Sequence, residues 1–152
     1  IIVAYYNSGK DEAALSGLMP VSRVVDGDTF WAEDGSKKGV KIRLIGVDAP
    51  ETRDSNYKKI GFYGQEAKAY LTALLDNQEV RLEYGVDSLD RYGRVLAYVY
   101  LSDGTFVNEE LIKNGFARVL SIPPNIKYAD DFVSYERDAR ESNRGLWQRE
   151  SE

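Results

Sequence analysis

The run Val40-Lys41-Ile42-Arg43-Leu44-Ile45-Gly46-Val47-Asp48-Ala49-Pro50-Glu51 decides how this chain folds. Val40, Ile42 and Leu44 alternate with Lys41 and Arg43, the period of two that marks a strand buried on one face only. Val40 to Val47 is therefore predicted as strand, with Arg43 pointing away from the face that carries Leu44. Upstream, Val21 to Val25 and Thr29 to Glu33 are rich in β-branched and aromatic residues, and Asp34-Gly35 through Gly39 supplies a turn, so three strands form a meander. Downstream, Thr52 to Gly64 is polar and glycine-punctuated, a loop beside the acids. A helix follows from Gln65 to Leu75, where Ala67, Tyr70, Leu71, Leu74 and Leu75 recur at helical spacing and Asp76-Asn77 closes the segment.

Val80, Leu82, Tyr84 and Val86 then alternate against Glu79, Arg81 and Glu83 as a fourth strand. After a charged turn over Asp87 to Arg91, Gly93 to Leu101 forms a fifth, ending at Asp103-Gly104. Phe106 to Asn114 reads as a short helix capped by Gly115, and Tyr128 to Ser142 as a charged amphipathic one, with Pro123-Pro124-Asn125 as loop between them. The fold class is thus mainly β with α-helices: a five-stranded OB-fold barrel with about three packed helices. Strand and helix alternate too sparsely for a doubly wound parallel sheet.

The 152 residues suit one cooperative domain. Asn7-Ser8-Gly9-Lys10-Asp11-Glu12 breaks any long periodicity, so residues 1–17 are expected as an N-terminal arm or tail and 18–152 as the domain. The chain has no histidine and no cysteine, which excludes an imidazole base, a thiolate nucleophile and a standard zinc site. Hydrolytic chemistry would have to run on carboxylates, arginines, tyrosines and a metal. The net charge of -5 repels a polyanion on average, so a polynucleotide partner would have to be attracted locally. No apolar run approaches the ~20 residues that cross a membrane, and none is expected as a partner.

Acids and arginines converge in sequence. Asp26-Gly27-Asp28-Thr29 places two carboxylates around a glycine, of which one is expected to aim into a site. Asp28 and Asp48 would offer two hard oxygens to Ca2+, an ion that accepts carboxylates, backbone carbonyls and water together. Read alone, Asp-Gly-Asp-Thr is an ordinary turn, and it lacks the alternating acids of a complete calcium loop. Arg43, on the strand leading to Asp48, adds planar bidentate phosphate recognition, and Arg94 follows Tyr92-Gly93, where glycine admits a close backbone approach. Each arginine alone reads as a solvated charge or ion pair; together they read as a phosphate clamp. Glu51 is then the carboxylate placed to orient or deprotonate water.

Val25-Asp26-Gly27-Asp28-Thr29, Arg43 through Thr52, and Asp90-Arg91-Tyr92-Gly93-Arg94-Val95-Leu96-Ala97-Tyr98-Val99 resemble the thermonuclease family, the staphylococcal nuclease-like domains, from about Pro20 to Trp147. The resemblance implies that Asp28 and Asp48 are calcium carboxylates, that Ala49 supplies a ligand through its carbonyl where the family commonly has threonine, and that Arg43, Glu51 and Arg94 are catalytic. Tyr92 matches a tyrosine near the nucleotide phosphate, whereas Ser121 stands where the family has a nucleotide-holding tyrosine, leaving Tyr57, Tyr63 or Tyr128 as substitutes. It further implies a secreted, calcium-dependent nuclease (a hydrolase, endonuclease or exonuclease) acting on DNA and RNA, and the chain is expected to be a monomer. Two other readings stand beside it: a catalytically inactive nucleic-acid binding module of the same fold, and a calcium-binding structural domain that would leave both arginines idle.

Overall fold

The computed structural model describes residues 3–7, 12–52 and 62–148, with side chains from residue 15 onward. Nine strands are described: β1 (Val3–Asn7), β2 (Glu12–Ser16), β3 (Met19–Asp26), β4 (Thr29–Ala32), β5 (Val40–Leu44), β6 (Gly46–Asp48), β7 (Glu79–Leu89), β8 (Val95–Leu101) and β9 (Arg118–Leu120). Three helices join them, α1 (Gly64–Leu75), α2 (Val107–Lys113) and α3 (Ala129–Glu141). Strands β7, β3, β4, β5 and β8 follow one another in the sheet, and β7 also pairs with β8, which closes a five-stranded barrel. Among the described strands only the β5–β8 pairing is parallel. The expected OB-type barrel with three helices is the architecture found.

Period-two patterning explains the core. Phe30, Ile42, Leu82 and Val99 are fully buried, and the opposite face of β4 and β5 presents Trp31, Lys41 and Arg43. Helix α1 buries Ala67, Leu71 and Leu75, each one turn from the next, while Tyr70 and Leu74 are only partly covered. The two buried leucines each contribute about 1.5–3 kcal/mol by leaving water, enough to dock a helix whose start has no side-chain cap. Helix α2 is tied in by Asn108: its amide oxygen accepts the Val99 N–H at 2.9 Å and its amide nitrogen donates to the Ile45 carbonyl at 2.8 Å.

Three features depart from the sequence reading. Residues 3–7 and 12–16, expected as an arm outside the core, form a hairpin whose second strand joins β7 through Leu15 and Glu83. The fully buried Ser16 accepts the Leu82 N–H at 2.9 Å there. The strand predicted over Val40–Val47 breaks in two, because Gly46 adopts a left-handed φ of 81° and any Cβ there would sit 2.6 Å from the Phe132 ring. Beyond the break, β6 leaves the barrel and pairs with β9, a three-residue strand too short for periodicity to reveal.

A buried carboxylate fastens α3 to the barrel. Glu83 on β7 accepts the Tyr128 hydroxyl at 2.9 Å and the Tyr100 hydroxyl at 3.4 Å, and the Lys127 ammonium lies 3.5 Å away. Burial, together with the Glu83 charge and against a lowering hydrogen bond from Tyr128, pushes the Tyr100 hydroxyl up from 10.0 to about 12; Tyr128 shifts the same way, first through burial. A tyrosine raised in the folded state adds stability that is complete below its unfolded pKa and disappears as pH climbs through the folded one. The melting temperature is therefore expected to fall as pH rises from 10.0 to about 12, and the Tyr100→Phe, Tyr128→Phe double variant to show a flatter fall in a pH series of thermal melts.

Candidate active site

The site begins at the β3–β4 turn. Gly27 packs so closely that a Cβ would lie 2.6 Å from the Ala49 Cβ and 2.8 Å from the Ala67 Cβ, so only glycine lets the turn sit between the Asp48-Ala49 segment and helix α1. This seats Asp28 in the interior, 7% exposed. Its Oδ1 accepts the Thr29 hydroxyl at 2.9 Å and its Oδ2 accepts the Ala49 N–H at 2.9 Å. Asp26, whose Oδ1 accepts the Asp28 N–H at 3.3 Å, lies beside it. Burial, then the hydrogen bond and charge of Asp28, and last the charge of Glu51, raise the Asp26 carboxyl to about 7.

Arg43 reaches this acidic turn from β5, whose register sets it opposite Thr29. Its Nη1 donates to the Leu44 and Val47 carbonyls, both at 2.7 Å, and its Nη2 lies 3.4 Å from Asp28 Oδ2 and 3.6 Å from Asp48 Oδ1. One guanidinium thus faces both carboxylates, because the Gly46 bend folds the chain back and brings Asp48 round to it.

Arg43 also lines a cavity of about 450 Å3 shared with Asp90, Tyr92 and Arg94 and walled by Leu120 and Pro123. Arg94 directly precedes β8, whose Val95 and Leu96 pair with Ile42 and Arg43. Its Nε donates to Asp90 Oδ2 at 2.6 Å, and its N–H donates to Asp90 Oδ1 at 2.9 Å. Although burial opposes it, hydrogen bonding from the Arg94 backbone and side chain holds the Asp90 carboxyl below the usual aspartate range. The Tyr92 ring is exposed, with the Arg91 and Arg94 guanidinium carbons 4.9 and 5.4 Å from its centroid.

Of the residues singled out from sequence, Asp28, Arg43 and Asp48 meet directly, Ala49 is bonded to Asp28, and Tyr92 and Arg94 share the Arg43 cavity. Glu51 is half-buried and contributes to the rise of Asp26. Ser121 is half-buried between Leu120 and Ile122, so the cavity wall there is apolar where a tyrosine was the family expectation. Of its suggested substitutes, Tyr57 lies outside the described residues, Tyr63 packs against Phe62 and Phe116, and Tyr128 belongs to the Glu83 network. Asp90 was missed as an anchor for Arg94, although its position four residues upstream is the available signal.

The donor set is chemically suited to a hard cation. Asp28 and Asp48 bring carboxylate oxygens to the same guanidinium, and the Asp26 carboxyl beside them is raised first by burial and then by the hydrogen bond and charge of Asp28. Among the described residues no group of three or more acids is gathered closely enough to hold a metal ion by itself.

The molecule is thus an OB-type barrel, closed by five strands, with an acid–arginine cluster beside a cavity lined by Arg43 and Arg94. A sequence profile described as "Staphylococcal nuclease homologue" matches residues 41–149, and the chain belongs to that family. It is 42% identical over 127 residues to the "Thermonuclease" of Staphylococcus hyicus, covering 84% of this chain and 73% of that one. The "Thermonuclease" of Staphylococcus intermedius is 42% identical over 130 residues, covering 85% and 75%. "Endonuclease YncB" of Bacillus subtilis is 38% identical over 129 residues, covering 84% and 60%. Family and relatives together support a nuclease. No helix among the described residues is long and apolar enough to cross a membrane.

The tight seat of Gly27 makes it the site's most sensitive backbone position. Gly27→Ala is expected to cost about 1–3 kcal/mol in denaturant unfolding through overpacking, and to lower activity as well by displacing Asp28.

Proposed function

We propose that this chain is a calcium-dependent nuclease that hydrolyses phosphodiester bonds of DNA and RNA. The observation that supports the reading is that the Arg43 guanidinium meets both Asp28 and Asp48 and lines the cavity occupied by Arg94 and Tyr92. Asp28, Asp48 and the Ala49 carbonyl would hold the ion, which when bound supplies charge neutralisation and Lewis acidity at the scissile phosphate.

The chain's own groups carry the rest. Arg43, fixed by two carbonyls, presents its remaining N–H bonds to a phosphate oxygen, and Arg94, held by Asp90, swings or shares its fork from the other side of the cavity. Charge builds on the equatorial oxygens as water attacks, so two preoriented guanidinium groups bind the transition state more tightly than the ground state. Glu51 acts as general base, accepting a proton from the attacking water or holding that water in line. Tyr92 contacts the nucleotide at the cavity mouth. The protein acts as a monomer and is secreted, where millimolar calcium suits a site with few protein carboxylates.

Arg43→Ala and Arg94→Ala are each expected to lower the rate of plasmid cleavage at least ~100-fold. Because truncating Arg43 leaves the buried Asp28 uncompensated, Arg43→Lys is the informative companion: it keeps the charge but loses the fork, and its melting curve separates misfolding from lost chemistry. EDTA is expected to abolish cleavage and added Ca2+ to restore it; cleavage that persists in EDTA would remove the metal from the reading. The rate is expected to rise toward alkaline pH, with a flattened profile in Glu51→Gln; an unchanged profile would take Glu51 out of proton transfer.

A further inference from the structure

The outer face of β4 and β5 carries a second cluster, which the proposed cleavage chemistry does not use. Register sets Trp31 opposite Arg23 on β3 and opposite Lys41 on β5, so the indole lies in the middle of a cross-strand triplet with a cation on either side. The Arg23 guanidinium carbon is 5.7 Å from the Trp31 centroid, and the Lys41 and Lys38 ammonium groups are 5.9 and 5.6 Å away. Trp31 is half-buried, while Arg23 and Lys38 are exposed. Asp34, which lines the same groove as Trp31, is engaged by the Ser36 N–H at 3.0 Å and by the Ser36 hydroxyl.

This cluster is continuous with the active site. A groove of about 410 Å3 is lined by Trp31, Lys38, Lys41, Tyr92 and Arg94, the last two being shared with the catalytic cavity. Along the sheet, the Trp31–Lys41 pair lies two residues from the Thr29–Arg43 pair on the same face, a rise of about 7 Å. Three cations gathered on an aromatic ring, in a chain of net charge -5, form a local basic platform in an acidic molecule. Single-stranded nucleic acid is bound by such a combination: bases stack on the ring, backbone phosphates meet the lysines and arginine, and the faces of the second and third barrel strands are where OB barrels present it.

Resting on the nuclease reading above, we infer that the Trp31 groove, edged by Arg23, Lys38 and Lys41, is an accessory subsite that takes a single-stranded segment of the substrate beyond the scissile phosphate. Trp31 stacks an unpaired base and the cations neutralise the phosphates that flank it.

The test is binding of a fluorescein-labelled oligothymidylate of about 12 nucleotides to the whole chain in EDTA, followed by anisotropy across a salt series. Trp31→Leu is expected to weaken binding about 10-fold through lost stacking. The Lys38→Ala, Lys41→Ala double variant should reduce the slope of log affinity against log salt by about 1.4, as two phosphate contacts disappear. Arg23→Ala, at an exposed position, gives a third variant that does not depend on tolerance at half-buried Trp31. If the wild type cuts DNA and all three variants bind the oligonucleotide with its affinity and salt slope, the subsite is overturned while the nuclease reading survives. If the wild type neither binds nor cuts, the nuclease reading falls and takes the subsite with it.

Discussion

The guanidinium of Arg43 holds this site together. Two of its contacts are to carbonyls of the Leu44–Val47 bend and two are to the carboxylates of Asp28 and Asp48, so a single group joins the β3–β4 turn, the barrel wall and β6. The Arg43 side chain is only 14% exposed and Asp28 10%, a depth at which an unpaired charge is strongly penalised. The pair is therefore under mutual constraint: the acids require the cation, and the cation is held at one angle by main-chain oxygens that cannot move without unpacking Gly46 from Phe132. Preorganisation in a charged site is obtained here from backbone geometry rather than from added side chains.

The barrel was legible in the sequence wherever one strand face is buried and the other is wet. Val40, Ile42 and Leu44 report that condition directly, as do Val80 and Leu82, and the helix over Gln65–Leu75 is found within one residue of its observed start. What escaped has a common physical cause. The β1–β2 hairpin is an addition to the sheet through β7, and β9 spans three residues, so neither carries enough alternation to stand out from local polarity. The break at Gly46 depends on Phe132 arriving from a helix 86 positions further along, a contact that no local pattern encodes.

The acidic and basic residues of the site were legible because their spacing follows a recognisable motif, but their partners were not. Asp90 serves Arg94 through a tight turn, and Trp31 acquires its cations only when β3, β4 and β5 come into register. Register is a property of the assembled sheet. The same assembly also sorts charge: Arg23, Lys38, Lys41, Arg43 and Arg94 gather along one barrel face, whereas Asp130, Asp131, Glu136, Asp138 and Glu141 ride on α3.

Asn108 bears on how such a molecule ages. Its fully buried amide reads the Val99 N–H with one end and the Ile45 carbonyl with the other, and Ile45 adjoins the residue whose carbonyl braces Arg43. Hydrolysis of that amide to a carboxyl would exchange a donor for an acceptor and set oxygen against oxygen in a dry interior. Slow chemical damage at one helix would thus be transmitted, through a single carbonyl, to the guanidinium on which the acids rely.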